Sequence, residues 1–407
     1  MSTTFLNFFI LFFTSVIFVK LLIIFPFLVE LSFYIPFLLL LKCFYVWLGN
    51  LFLWIACAAA LCPPSPTAKE RLLFLNEKLI MTATARFLDP TERKENIMKK
   101  KIVIALGHRA LGVTFPEQKV AVKSSSKVLA EMVAGGYRLI ITHSNAPQMG
   151  MIHTAMNEFG KSHQNYTAAP MSVCSAMSQG YIGYDLQNAL RAALLQKGIF
   201  KTVSTVLTQV LVDPYDDTFY HPVKVIGRYM TAAEAEEEEK KGNYMVEEPG
   251  KGFRRIVASP RPKDIIEIDA IRALSDAGHV VISCGGGGIP VLAQGSELKG
   301  ASAIIEKDYT SGLLAEMTDA DILMILTNDE KVCLDHLSEH PRPLAHLSIE
   351  EAEAHIRDNQ FGETAMLPKI QASVDFIKAG TGRKAIITNL ENALNALDGK
   401  AGTVIEA

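Results

Sequence analysis

Three glycine-containing loops are the parts of the sequence best suited to bind an anion. They are Gly107-His-Arg-Ala-Leu-Gly112, His143-Ser-Asn-Ala-Pro-Gln148 and Cys284-Gly-Gly-Gly-Gly-Ile-Pro290, and each follows an apolar run. Backbone N–H groups at the end of a strand or the start of a helix approach a phosphate closely only where no Cβ intervenes. Four consecutive glycines are hard to explain by packing, so we expect an anion site at the third loop rather than an ordinary tight turn.

None of the loops has a known nucleotide-binding fingerprint. Gly107 to Gly112 is followed by Val113 and Thr114, whereas the P-loop pattern requires Lys and then Ser or Thr. The GxGxxG spacing is also absent, and the second strand is followed by His143 rather than by an acidic residue that would bind a ribose. The sequence therefore argues against both the P-loop and the Rossmann type of site.

Three lysines at structural junctions could supply positive charge to a phosphoryl group. Phosphoryl transfer depends on charge stabilisation and in-line positioning and needs little covalent chemistry from the protein. Lys224 lies in a proline-flanked segment, Lys307 in Ile-Ile-Glu-Lys-Asp, and Lys369 in Leu-Pro-Lys-Ile at a predicted helix start. Any one of them, taken alone, is more simply a solvated surface residue.

The elements that must position these residues alternate between strand and helix. Strands are predicted over 102–106, 138–142, 202–211, 280–283, 320–327 and 384–388, and helices over 116–133, 183–197, 264–277, 310–319, 348–359 and 368–378. This alternation predicts an α/β fold, a three-layer αβα sandwich around an open, mostly parallel sheet. Residues 213–262 interrupt the pattern with five prolines and an acidic helix at 232–241, which indicates a protruding insertion or lid.

The first quarter of the chain differs in composition from the rest. Residues 1–62 contain only three charged side chains, and their apolar stretches are long enough for two or three membrane spans. The literal interpretation is a hydrophobic helical leader at 1–62 and a linker at 63–97, with residues 5–61 as a membrane anchor that leaves the large domain cytoplasmic. The alternative is that residues 1–97 are not translated, because Met98 opens a lysine-rich start of the first strand.

Charge and cysteine usage exclude several classes of partner. Eight of the 40 basic and six of the 43 acidic residues precede residue 98, which leaves 32 and 37 for residues 98–407. This slightly acidic balance gives no indication of nucleic-acid binding. The six cysteines lack CxxC or His-paired spacing, so reduced and mostly buried thiols are expected rather than a metal site.

From about residue 99 to 405 the chain resembles the carbamate kinases, which have the amino acid kinase fold. The resemblance rests on Met171–Tyr184, Asp264–Asp269, the four-glycine loop and Met366–Ile370. It implies reversible phosphoryl transfer between ATP and carbamate, with Mg²⁺ bridging the nucleotide phosphates. The expected direction is ATP formation from carbamoyl phosphate made in arginine, agmatine or purine-derivative breakdown. A cytoplasmic homodimer built across the sheet edge and nearby helices is also implied.

The same resemblance assigns roles to individual residues. Lys224, Lys307 and Lys369 are expected to contact phosphates, and Asp308 to hold the lysines in place. Carbamoyl phosphate and the moving phosphoryl group are expected at Gly107, His108, Arg109, Ser144, Asn145, Ala146, Gly285, Gly286, Gly287 and Gly288. ADP or ATP is expected at Lys307, Thr327, Glu330, Val332 and Lys369, and no protein ligand to the metal is expected. Carbamate is already an anionic nucleophile, so no general base is required.

Two departures from the family pattern leave a second function open. Arg109 stands where many members have asparagine, and it would either clamp phosphate bidentately or fill the pocket. Asp329 adds negative charge near the expected nucleotide site. The alternatives to an active kinase are a kinase-fold protein that binds carbamoyl phosphate or nucleotide as a regulator, and an enzyme tethered to a membrane by its leader.

Overall fold

The computed structural model describes residues 100–163, 165–167, 169–335, 341–362 and 366–407. The predicted leader at 1–62, the linker at 63–97 and Met98 lie outside the described residues. Within the described part of the chain, no helix is both long and apolar enough to cross a membrane.

The described residues alternate between strands and helices over most of their length. The strands are β1 Lys101–Leu106, β2 Arg138–His143, β3 Val203–Thr205, β4 Gln209–Val212, β5 Lys224–Met230, β6 Tyr244–Glu248, β7 Gly252–Val257, β8 Pro262–Ile265, β9 Val280–Ile282, β10 Ile289–Gln294, β11 Glu297–Gly300, β12 Ile322–Thr327, β13 Val332–Leu334, β14 Arg342–Leu344, β15 His346–Ser348, β16 Lys384–Asn389 and β17 Thr403–Glu406. The helices are α1 Phe115–Ala134, α2 Ala146–Ser162, α3 Met171–Gln196, α4 Ala232–Lys240, α5 Ile268–Asp276, α6 Lys307–Met317, α7 Ile349–Arg357, α8 Leu367–Lys378 and α9 Ala393–Leu397.

An eight-stranded sheet forms the centre, in the order β15-β17-β16-β12-β1-β2-β9-β3. Every described pair in it is parallel except β16 with β17. A four-stranded sheet, β11-β10-β4-β8, lies beside it, and β5-β7-β6 form a separate three-stranded sheet that packs with α4. The last of these belongs to the segment predicted as an insertion.

Side chains on the two faces of the central sheet enter two separate cores. Ile102, Ile104 and Leu106 of β1 pack in one core with residues of α1, α3 and α9. Val103 and Ala105 pack in the other core with residues of α5, α6, α7 and α8. Burial on both faces explains why the strand reads as an uninterrupted apolar run. The predicted three-layer αβα class is therefore confirmed.

Three of the predicted elements are wrong in extent. The single strand predicted at 202–211 is two strands in different sheets, because buried Thr208 donates its N–H to Gln179 Oε1 at 2.9 Å and breaks the run. The helix predicted at 264–277 begins only at Ile268, since Pro262–Ile265 pairs with β4. The helix predicted at 183–197 already begins at Met171. Position 183 of this helix is a glycine because a Cβ there would lie 2.3 Å from the Thr205 side chain.

Candidate active site

The three glycine-containing loops meet at the carboxyl ends of neighbouring strands. β1, β2 and β9 are adjacent in the sheet, and Leu106 lies opposite His143 while Ile141 lies opposite Ile282. Ser144 donates its N–H to the Leu106 carbonyl at 3.0 Å, which fixes the second loop against the end of β1. Loops beyond the carboxyl edge of a parallel sheet are where ligands of open α/β folds bind.

The four-glycine loop packs directly on the second loop. A Cβ at Gly285 would lie 2.4 Å from the His143 ring, and one at Gly286 would lie 2.1 Å from the Asn145 amide nitrogen. Asn145 in turn donates its side-chain N–H to Ser178 Oγ at 2.8 Å. Only glycine allows this approach, so the glycines are required by contact as well as by backbone shape.

The backbone of the four-glycine loop is coiled so that amides remain for a ligand. Gly286, Gly287 and Gly288 have φ of 68°, 89° and 93°, which L side chains rarely adopt. The N–H groups of Gly287 and Gly288 close the turn on Cys284 and Gly285 at 3.1 Å each. The amides of Gly285 and Gly286 have no acceptor among the described residues. Successive free amides in such a turn form an anion-binding concavity.

Helix α6 begins beside this loop and is attached to it by hydroxyl groups. Thr310 donates its side-chain O–H to the Gly287 carbonyl at 2.9 Å. Ser311 Oγ lies 2.7 Å from the Lys307 carbonyl and 2.6 Å from Thr142 Oγ1 of β2. Since all three hydroxyl residues are fully buried, the first turn of α6 is fixed relative to the loop.

Two lysines share one buried carboxylate at this point. Lys307 Nζ lies 2.5 Å from Asp308 Oδ1, and Lys369 Nζ, from the first turn of α8, lies 2.7 Å from Asp308 Oδ2. The Asp308 side chain is 1% exposed, and the lysine side chains are 13% and 15% exposed. Two ammonium groups against one carboxylate leave a net positive charge in a largely desolvated place.

The pKa shifts of the cluster follow from this imbalance. Burial alone would raise the pKa of Asp308, but the charges of Lys307 and Lys369 outweigh burial and lower it to about 2. Burial lowers the pKa of Lys307, and the charge of Lys369 lowers it further, against the opposing attraction of Asp308. The carboxylate is therefore ionised at neutral pH. The surroundings destabilise the charged form of Lys307, and a bound anion would stabilise it.

Lys224 reaches the same region from the insertion. Its ammonium group forms an ion pair with Glu306, the residue that precedes Lys307 and the N-cap of α6. The two side chains are 31% and 21% exposed. The structure therefore places Lys224 next to the Lys307–Asp308–Lys369 cluster.

The first loop lies near enough to the cluster for the charges of the cluster lysines to act on it. His108 has a lowered pKa because of burial first, and then because of the charges of Arg109, Lys307 and Lys369. Arg109 itself is exposed and lines a cavity of about 90 Å³ together with Gly107, Thr327 and Glu391. Its guanidinium therefore borders this space without being buried in it.

The remaining residues predicted to bind nucleotide lie beyond β12. Glu330 is exposed in the bend before β13. Val332 is fully buried and donates its N–H to Thr403 Oγ1 at 2.9 Å. These two are not joined to the lysine cluster by any contact among the described residues, so their role stays a prediction.

His143 is placed to shape the loops. Its ring is buried, Nδ1 donates to the Ser144 carbonyl at 2.9 Å, and burial lowers its pKa to about 4. An imidazole with this pKa is neutral at neutral pH and is a weak base. The expectation that no histidine acts as an acid or base stays a prediction.

Sequence reasoning missed several residues that support the site. Glu306 is part of the Ile-Ile-Glu-Lys-Asp motif, but no local pattern indicated that it pairs with Lys224, 82 positions away. Gln179 donates to the Gly285 carbonyl at 2.9 Å and lies within the Met171–Tyr184 motif. Thr310 and Ser311 come two and three residues after Asp308, and the available signal was a pair of polar residues in a helix whose neighbouring residues are apolar.

Comparison with known proteins gives consistent matches over the described part of the chain. The amino acid kinase family profile matches residues 100–389. A carbamate kinase-like protein of Escherichia coli is 50% identical over 308 residues, which cover 76% of this chain and 99% of that protein. A carbamate kinase of Clostridium perfringens is 41% identical over 311 residues, covering 75% and 99%. The structure of a carbamate kinase from Giardia lamblia bound to AMP-PNP superposes with a TM-score of 0.71 at 34% identity, covering 75% and 98%.

Proposed function

Because the chain belongs to the amino acid kinase family and, within it, to the carbamate kinases, we propose that it transfers a phosphoryl group reversibly between ATP and carbamate. The observation that carries this function is the pair of buried ammonium groups, Lys307 and Lys369, on one carboxylate beside the four-glycine loop. The net positive charge of such a site favours binding of an anion.

Lys307 and Lys369 are proposed to neutralise charge on the phosphoryl group as it moves between the two oxygens. Asp308 holds both ammonium groups by charge-assisted hydrogen bonds and thereby fixes their positions before substrate arrives. Preorganised charge of this kind acts without reorganisation at the moment of transfer, which is why it stabilises the transition state more than the ground state.

The glycine loops are proposed to hold carbamoyl phosphate and the transferred group in line with the nucleotide. Gly285 and Gly286 lie against the second loop, in which Ser144, Asn145 and Ala146 stand at the start of α2. The N-terminus of this helix offers further N–H groups and a favourable dipole for an anion. Carbamate attacks as an anion, so the loops need only orient it.

The nucleotide is proposed to lie beside β12, where Gly107, Arg109 and Thr327 border one cavity. Among the described residues no three His, Cys, Asp or Glu side chains gather into a metal site. Mg²⁺ is proposed to come with the nucleotide, because it keeps several waters and binds mainly through substrate phosphates. When bound there, Mg²⁺ would supply positive charge that offsets the negative charge of the nucleotide phosphates.

The regulatory alternative and the active enzyme differ in one assay. ATP formation from ADP, Mg²⁺ and carbamoyl phosphate would be measured for the unmodified protein and for Arg109→Asn. Because Arg109 is exposed at the cavity rather than buried in it, we expect the unmodified protein to be active and the variant to stay within about tenfold. Activity in Arg109→Asn alone would mean that this chain has kept the fold and lost the reaction.

A homodimer is proposed from exposed apolar side chains on α3 and next to the edge strand β3. Val173, Met177 and Tyr184 of α3 are 46%, 44% and 66% exposed, and Phe200 just before the edge strand β3 is 79% exposed. Exposed apolar patches of this kind mark interaction surfaces. Light scattering after size exclusion would test it, and Phe200→Asp together with Met177→Asp should give monomers.

The context of the reaction and the start of the chain are also proposals. We propose the ATP-forming direction, fed by carbamoyl phosphate from arginine, agmatine or purine-derivative breakdown, in the cytoplasm. We propose further that translation starts at Met98, since relatives matched over 98–99% of their length cover about three quarters of this chain. Terminal proteomics would test this, and recovery of peptides from residues 5–61 would favour the membrane anchor instead.

A further inference from the structure

The insertion contacts helix α6 at two points, one on each side of the Lys307–Asp308 pair. On one side, Lys224 of β5 pairs with Glu306. On the other side, the Arg261 guanidinium lies over the Tyr309 ring, with its carbon 3.4 Å from the ring centroid. The two contacts therefore bracket the residues proposed to carry phosphoryl transfer.

Arg261 stands at the base of the insertion, where its incoming and outgoing segments come together. Its N–H donates to Asp216 Oδ2 at 3.1 Å, which ties the segment after β7 to the segment before β5. Its guanidinium also lies 3.8 Å from Asp375 on α8. Arg261 thus touches both ends of the insertion and both helices that carry the cluster lysines.

The space beside this contact is open. A cavity of about 320 Å³ is lined by Arg261, Tyr309, Leu313 and Phe376, among others. Protein interiors normally fill such space with apolar side chains. The β4–β8 pairing and the bridge between Ala258 and Ala303 also hold the base of the insertion, so the stacked guanidinium is one of several contacts that set its position on α6.

We propose that Arg261 is a positioning residue: by stacking on Tyr309 it fixes the base of the insertion on α6 and so holds Lys224 beside the anion site. The inference rests on the proposed function only for its kinetic readout. Arg261 touches no reacting atom and acts through Lys224. A planar guanidinium is needed because it stacks flat on an aromatic face, whereas a lysine ammonium does not.

The test is a kinetic cycle in the full chain between Arg261 and Lys224. Arg261→Ala should lower kcat/KM for carbamoyl phosphate about 3- to 10-fold in the unmodified background and less than about 2-fold in the Lys224→Ala background, because both changes remove the same contribution. Arg261→Lys should behave like Arg261→Ala. The matched control is Arg254→Ala, because Arg254 lies 5.2 Å from the Tyr229 ring within the insertion's own sheet.

Equal losses in the two backgrounds, or no loss in either, would overturn the proposal. Tyr309→Leu removes the other half of the stack and carries the test if Arg261→Ala does not fold. Hydrogen exchange gives a readout that does not need activity: the amides of β5 should exchange faster in Arg261→Ala than in the unmodified protein. An inactive unmodified protein would therefore contradict the proposed function, while unchanged exchange at β5 would contradict the role of Arg261.

Discussion

Replacing Asp308 by asparagine should separate the charge of the lysine cluster from its shape. The substitution keeps the side-chain size but removes the carboxylate that lies 2.5 Å from Lys307 and 2.7 Å from Lys369. Two ammonium groups, 13% and 15% exposed, are then left without their counter-ion. Removing one partner of a buried ion pair costs about 3–5 kcal/mol.

Part of this free energy will appear as lost activity. If about 3 kcal/mol of it is lost from the transition state, kcat/KM falls about 10²-fold. The pH profile should change too. Asp308 raises the pKa of Lys307 against burial and against Lys369, so the pKa of Lys307 falls further in Asp308→Asn. The lysines act as ammonium groups, so the alkaline limb of kcat/KM should move to lower pH.

The assay is ATP formation from ADP, Mg²⁺ and carbamoyl phosphate across the range of about pH 6 to 10, in which lysine pKa shifts of this kind become visible. The matched control is Asp321→Asn, at the opposite edge of the same sheet, where the carboxylate accepts the Lys101 N–H at 2.6 Å. That variant should lose stability and keep its pH profile. A folded Asp308→Asn protein with kcat/KM within about threefold of the unmodified value and an unmoved alkaline limb would refute the reasoning.

Three further outcomes are expected. Gly286→Ala should lower activity at least 10²-fold, because ~3 kcal/mol or more of strain is introduced. Gly286 has φ of 68°, and a Cβ there would lie 2.1 Å from the second loop. The control Gly295→Ala, where φ is 63° and the space around the residue is open, should remain active in the same assay. The pKa of Asp308 falls from 3.8 to about 2 on folding. Its ionised form therefore stabilises the fold by about 2 kcal/mol above pH 4. Urea unfolding should show that this contribution is lost as the pH falls from 4 toward 2. Lys307→Met should abolish activity yet raise the free energy of unfolding at neutral pH by about 1 kcal/mol, since burial lowers the pKa of that ammonium.

The sequence predicted the centre of the fold better than its margins. β1, β2, β12 and β16 are buried on both faces, and each is a continuous apolar run that local pattern detects. By contrast, every residue of β11 is exposed, so nothing in its composition distinguishes it from a loop. The break at Thr208 depends on a hydrogen bond to Gln179, 29 positions away, and no local pattern contains such a contact.

The same distinction applies to the site. The glycine loops were found because each follows a buried strand, and parallel strands bring their carboxyl ends to one edge. The pairing of Lys369 with Asp308 joins residues 61 positions apart and came only from the family resemblance. Glu306 was missed since its role depends on where the insertion folds back.

The unequal charges of the cluster connect stability to function. A second carboxylate beside Lys307 and Lys369 would balance the charge and remove part of the cost seen in the lowered pKa of Lys307. It would also repel the phosphoryl group that the site is proposed to receive. Asp308, at 1% exposure, holds two ammonium groups in place with a single negative charge, so one positive charge remains for the substrate. Functional sites leave a charge without its protein counter-ion in this way because the ligand supplies the opposite charge.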